Sequence, residues 1–297
     1  MSDVGAREPG WKGAHHSCGA PPAHRSSVKI TYIGHATLLL DIAGMKILTD
    51  PNFESSLGRL LPRVSAPGVA LDKLPVLDAL LLTHAHADHL SFRTLDRLPR
   101  NIPLYAPGPV VKWLVQKGYG HATPLDPGES VQMGKVRIHA GKSVHQGNRY
   151  GFDRWRNATN MYVIESPDES IFFAGDTALT ESTHHLVERV LWNGGRELDV
   201  ALLPIGWAPS WKPGFRRGHL TSDDALELFR TLRARALFPY HWGTFRHVTA
   251  SAYDAINRLR ARLEGFAGRE HVHIVEPGES LLVDDAGLCR IEARRPL

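Results

Sequence analysis

The stretch Thr83-His84-Ala85-His86-Ala87-Asp88-His89 constrains this chain more than any other. It follows directly on the apolar run Ala79-Leu80-Leu81-Leu82, which reads as a buried strand ending at a polar loop. Side chains two residues apart in extended backbone leave on the same side, so His84 and His86 point together. Asp88 and His89 come where the chain bends towards a helix, and they face a second point nearby. That layout predicts a dinuclear metal site rather than a mononuclear one. A solvated, His-rich loop would explain a lone His-x-His. It does not explain the x-Asp-His continuation behind a wholly apolar strand.

Other segments end the same way. The pattern predicts strands at Val28–Ile33, Thr37–Asp41 and Met45–Thr49, then a long Gly- and Pro-punctuated loop from Asn52 to Pro75. Helices are expected at Leu90–Leu98, Pro109–Lys117, Thr180–Leu191, Ser222–Leu232 and Ser251–Glu264. Further strands are expected at Ile102–Tyr105, Glu129–Gln132, Lys135–Ala140, Asn160–Glu165, Ile171–Ala174, Val200–Pro204, Ala236–Pro239, His271–Val275 and Ser280–Val283. His84, His145, Asp176 and His241 each stand just past a strand. Two runs of strands, each with its own helices and converging on one polar rim, favour an α/β fold. Its form is a four-layered α/β/β/α sandwich of two mixed β-sheets.

Residues 1–27 are rich in Gly, Pro, Ala, Ser and His without periodicity, and are expected to form a flexible leader to a single domain over 28–297. His15, His16 and His24 read as solvated tail residues. Two cysteines, Cys18 and Cys289, near opposite ends of a 297-residue chain, make no framework, so a reducing cytoplasmic setting is expected. No stretch approaches the roughly 20 apolar residues of a membrane span. The net charge of +4 is scattered, and basic runs interleaved with aromatics are missing, so nucleic acid is not an expected partner. A mildly basic surface suits an anionic metabolite or a lipid headgroup, with peripheral membrane contact left open. No Gly-rich phosphate loop is present to bind a nucleotide cofactor.

The run His84-Ala85-His86-Ala87-Asp88-His89 resembles the HxHxDH motif of the metallo-β-lactamase superfamily. The resemblance implies metal positions at His84, His86, Asp88, His89, His145, Asp176 and His241. Within the superfamily the chain looks most like the N-acyl phosphatidylethanolamine phospholipase D branch, with the ascorbate-6-phosphate lactonase group a close cousin. The supporting stretches include Tyr32-Ile33-Gly34-His35-Ala36-Thr37, Leu48-Thr49-Asp50-Pro51, Gly218-His219-Leu220-Thr221 and His241-Trp242-Gly243-Thr244-Phe245. That branch usually carries Asn and Tyr where this chain has Ala85 and Ala87, and Asp where it has Ser91, so its substrate does not transfer automatically.

The expected chemistry follows. His84, His86 and His145 would hold one divalent ion, and Asp88, His89 and His241 the other, with Asp176 bridging. Nitrogen and oxygen donors suit Zn2+, with Mn2+ or Fe as alternatives. Two divalent ions less Asp88, Asp176 and a bridging hydroxide leave one positive charge, which favours an anionic substrate such as a phosphodiester. A lactone or other ester is the alternative, and a non-catalytic binding protein on the same fold is a second. His219 is the candidate for contacting substrate or protonating the leaving group, or else a surface residue at a helix start. Arg149, Arg154, Arg156, Arg216 and Arg217 are candidates to clamp phosphate, with most expected to be solvated and only one or two to serve. Trp155, Trp207, Trp211 and Trp242 either shape an apolar pocket or simply pack. His35 and Asp50 could support the metal ligands or serve only as turn residues.

Overall fold

The computed structural model describes residues 28–58, 61–149, 154–206, 215–246, 250–284 and 287–293. The leader, Trp207 and Trp211 lie outside the described residues. Three strands open the chain as an antiparallel meander: β1 (Val28–Gly34), β2 (Thr37–Ile42) and β3 (Met45–Thr49). Ala43 and Gly44, with φ of 48° and 81°, form the tight turn between the last two. A short hairpin, β4 (Ser56–Leu57) with β5 (Leu61–Pro62), interrupts the segment expected to be a loop.

The metal-motif strand β6 (Ala79–Leu81) then pairs in parallel with β3. After it come α1 (Phe92–Leu95), β7 (Leu104–Ala106), α2 (Gly108–Gln116), β8 (Ala122–Pro124), β9 (Ser130–Met133) and β10 (Val136–Lys142). The remainder is β11 (Asn160–Glu165), β12 (Ser170–Phe173), α3 (His185–Val190), β13 (Val200–Pro204), α4 (Ser222–Leu232), β14 (Ala236–Tyr240), α5 (Asp254–Leu263), β15 (Ser280–Val283) and β16 (Cys289–Glu292). One sheet has eight strands in the order β16-β15-β1-β2-β3-β6-β7-β8, and the other six in the order β14-β13-β12-β11-β10-β9. Both mix parallel and antiparallel pairs.

Residue alternation explains the layering. On β2, Leu38 and Leu40 join the core between the sheets, while Leu39 packs against the cluster under α2. On β6, Ala79 and Leu81 face the inter-sheet core, and Leu80 faces Val110, Val111 and Leu114 of α2. A strand buried on both faces must be apolar throughout, which is why this run precedes the motif. Leu186 of α3, Phe229 of α4 and Leu259 of α5 pack against the core that includes the six-stranded sheet. Two main sheets flanked by helices give the expected αββα sandwich.

Three expected elements differ, and the helix forecast over Leu90–Leu98 forms only at Phe92–Leu95. The helix forecast over Thr180–Leu191 begins only at His185. Thr183 Oγ1 accepts from the Thr180 amide at 3.0 Å and donates to the Ala178 carbonyl at 3.0 Å, so its side chain closes a turn ahead of the helix. The strand forecast at His271–Val275 reduces to one bridge between Val272 and Leu237. The chain must leave the six-stranded sheet there, because β15 pairs with β1 in the other sheet.

Candidate metal centre

The loops that leave β6, β10, β12 and β14 carry His84–His89, His145, Asp176 and His241 to one rim. Beyond β6 the chain bends at once, with the amides of His89 and Leu90 both donating to the His86 carbonyl, at 3.2 and 2.8 Å. Arg149 closes this bend by donating to the carbonyls of Ala85 and Leu90, at 3.1 and 2.7 Å. It therefore braces the motif loop. Arg154, Arg156, Arg216 and Arg217 are exposed, and Arg216 pairs with Asp224 at 3.1 Å.

Two groups of donors result. His84, His86, His145 and Asp176 have donor atoms within 4.8 Å of one another, as do His35, Asp88, His89 and His241. His145 Nε2 lies 3.2 Å from His86 Nδ1, and His89 Nε2 lies 3.3 Å from His241 Nε2. Asp176 stands between the groups. Its Oδ1 is 3.3 Å from His241 Nε2, and its Oδ2 is 3.5 Å from His89 Nε2 and 3.9 Å from His145 Nε2. All seven residues expected from the sequence are thus brought together, and His35 joins them.

The imidazoles are oriented from behind. Asp50, fully buried, accepts from the Thr83 amide at 2.8 Å and hydroxyl at 2.7 Å, and from His89 Nδ1 at 2.7 Å. Because the Thr83 hydroxyl donates to Asp50, its lone pair is left for His84 Nδ1 at 2.9 Å. His145 Nδ1 donates to the Gly218 carbonyl at 2.7 Å. A Cβ at Gly218 would come within 2.9 Å of that nitrogen, so only glycine allows the approach. The rings of His84 and His145 therefore present an unprotonated Nε2, and Asp50 fixes the orientation of His89. The Thr83 relay had no signal in the sequence beyond its place at the strand end.

Electrostatics favour cations here. Burial works against ionising Asp176, but His241, His89 and His219 hold it well below the usual carboxylate range. Burial likewise opposes Asp88, and His89, His35 and His86 keep it ionised. Burial, then neighbouring imidazoles, pushes His84 well down, and burial takes His145 to about 3. His89 goes the other way: burial opposes its charge, but Asp176, Asp88 and Asp50 raise it well above normal.

The donor set fits metal ions on a direct observation. His84 Nε2 is buried without a hydrogen-bond partner, an uncompensated acceptor that a cation would satisfy. The paired nitrogens at 3.2–3.3 Å also match the edge of a tetrahedron built on bonds of about 2.0–2.1 Å.

His219, half-buried, holds Nε2 at 3.5 Å from Asp176 Oδ2, with its ring 4.8 Å from that of His145. A cleft of about 140 Å³ opens on the site, lined by His35, Asp88, His219, His241, Leu61 and Phe245 among others. Trp242 is buried and also lines this cleft, and Trp155 packs at 4.2 Å on Trp113. Ala85 is likewise core, and Ser91 caps α1 by accepting from the Thr94 amide at 3.1 Å.

A two-sheet αββα sandwich with these clusters at its rim defines the metallo-β-lactamase fold, a scaffold of metal-dependent hydrolases. The chain belongs to the beta-lactamase superfamily: residues 45–242 match the beta-lactamase superfamily domain. It is 30% identical over 258 residues to N-acyl-phosphatidylethanolamine-hydrolyzing phospholipase D 1 of Caenorhabditis elegans, covering 80% of this chain and 70% of that protein. Among solved structures it is similar to Igni18, a metallo hydrolase of the archaeon Ignicoccus hospitalis, at 22% identity and TM-score 0.63, over 86% of this chain and 98% of that one. It is also similar to an isothiocyanate hydrolase from Delia radicum gut bacteria, at 20% identity and TM-score 0.68, over 85% and 98%. The last two likenesses concern the fold. No helix among the described residues is long and apolar enough to cross a membrane.

Proposed function

We propose that the chain is a dinuclear metal-dependent hydrolase acting on a phosphodiester. The observation that carries this is Asp176, one buried carboxylate facing imidazoles of both donor groups. His84, His86 and His145 would hold one divalent ion, Asp88, His89 and His241 the other, and Asp176 both. Donors limited to nitrogen and oxygen suit Zn2+, with Mn2+ or Fe as alternatives. Such ions supply Lewis acidity and lower the pKa of water from 15.7 to about 7, giving a nucleophile at neutral pH.

The protein's own groups do the rest. Asp50 and Thr83 fix the rings of His89 and His84, and the Gly218 carbonyl fixes that of His145. Asp88 and Asp176 cancel only part of the charge of two divalent ions, which leaves the site attractive to an anion. His219, beside Asp176 and open to the cleft, is set to contact substrate or protonate the leaving group. Leu61 and Phe245 give the cleft an apolar wall for whatever the diester carries. The phospholipase D activity named for the nematode relative supports a phosphodiester. Donors come from both sheets, so residues 28–297 are read as one catalytic domain. Cys289, free of disulfide, fits a cytoplasmic setting.

The test is elemental analysis of the purified chain with assays of bis-p-nitrophenyl phosphate beside a lactone panel. Two ions per chain and diester turnover are expected. Turnover of lactones alone would sink the phosphodiester reading and favour the lactonase alternative. Fewer than one ion after reconstitution would sink the hydrolase itself.

A further inference from the structure

We propose that His35 is a further protein donor of the second cluster, so that the cation held by Asp88, His89 and His241, with Asp176 shared, carries three imidazoles and two carboxylates. The inference rests on reading the two donor groups as metal sites. It gives the second group the three imidazoles that the first already has in His84, His86 and His145.

His35 leaves the bend between β1 and β2, and its donor lies within 4.8 Å of those of Asp88, His89 and His241. Its Nε2 is 2.9 Å from Asp88 Oδ2. The residue sits at φ 57°, a left-handed conformation uncommon outside glycine. A turn alone would take Gly or Asn there at less cost, so the turn does not explain an imidazole. His241 is left-handed too, at φ 74°. The two backbones lock together, the His241 amide donating to the His35 carbonyl at 3.1 Å, while the His35 amide donates to Thr244 Oγ1 at 2.6 Å.

This lock brings the two rings to 3.7 Å between centroids, both turned towards Asp88. His35 is 7% exposed. Burying a polar ring against a second polar ring gains less than burying an apolar side chain, unless the nitrogens have work to do. Asp88 occupies one of them. A cation shared by Asp88 and both rings would use the same nitrogen more fully, at a separation only slightly wider than the present one.

The competing role is a brace, in which His35 does no more than hydrogen-bond Asp88. His35→Ala removes both roles. His35→Gln keeps an amide N–H that can reach Asp88 but removes the imidazole, a far better ligand for zinc. The full chain, stripped with chelator, would be titrated with Zn2+ by calorimetry and with Co2+ by visible absorption.

The expected result is that both variants bind the first cation as the unsubstituted chain does and the second at least about tenfold more weakly. The Co2+ spectrum should change only in the second equivalent. Binding of the first cation also reports that the variant is folded. Should the alanine variant fail to fold, His35→Asn, which tolerates the left-handed backbone, takes its place beside the glutamine variant. Wild-type affinity and spectrum in His35→Gln would overturn the proposal in favour of the brace, and so would an unchanged second cation in His35→Ala. Uptake of fewer than two cations by the unsubstituted chain would remove the dinuclear reading, and this inference with it.

Discussion

Asp176 and His219 divide the work that a hydrolytic centre must do, and their surroundings show how. Asp176 is 3% exposed and ringed by His89, His145, His219 and His241, so imidazoles stabilise its charge. Replacing it with alanine should abolish turnover and reduce bound metal, because two cations would then lose a shared anion. Normal turnover of that variant at saturating metal would contradict the bridging role. His219 meets the cluster at Asp176 and beside the ring of His145, and it faces the cleft. His219→Ala should therefore lower kcat by about 10²-fold or more, with metal content unchanged, as loss of a proton donor does. An unaltered kcat would remove it from the mechanism. A loss of metal instead would make it a structural partner of Asp176.

At the level of elements, the site depends on what ends each strand. Thr221 and Asp224 form a capping box, with Thr221 Oγ1 accepting from the Asp224 amide at 3.1 Å and Asp224 accepting from the Thr221 amide at 2.9 Å. The cap starts α4 three residues after Gly218, whose carbonyl orients His145. Thr221→Ala should cost about 1 kcal/mol of stability by urea denaturation. It should also weaken binding at the cluster containing His145. If only stability falls, the cap does not reach the site. The sequence announced much of this level: six residues of motif, and strands that end in His or Asp. It could not announce contacts made across the fold. Nothing local distinguishes His35 as a turn residue from His35 stacked on His241, more than 200 positions away. Arg149 likewise read as a phosphate clamp because its use, closing the carbonyls behind the motif, exists only once β6 and the 146–149 loop meet. The strand expected at His271–Val275 was misjudged for the same reason, since its fate depends on which sheet takes β15.

For the molecule as a whole, a cluster of buried neutral imidazoles makes the metal-free protein sensitive to acid. His145 has a pKa of about 3 in place of 6.5, chiefly through burial, and His84, His86 and His241 are lowered for the same first cause. Between those values the unfolded chain takes up protons that the folded one refuses, so stability is lost as pH falls below about 6.5. His89 opposes this. Its raised pKa contributes stability that is full below 6.5 and fades as pH rises through the folded value. The lowered carboxyls of Asp88 and Asp176 add a further loss only below their ordinary 3.8. The four buried imidazoles, with His121 and His273 lowered as well, outweigh His89 and the raised carboxyls of Asp50 and Asp199 and set the sign between pH 7.5 and 5. In chelator, the urea midpoint should fall across that interval. Added Zn2+ should raise the midpoint at pH 7.5 and raise it less at pH 5, because protons compete for the same nitrogens. A midpoint that holds or climbs on acidification would mean these rings are not buried neutral, and that the rim is more open than its contacts imply.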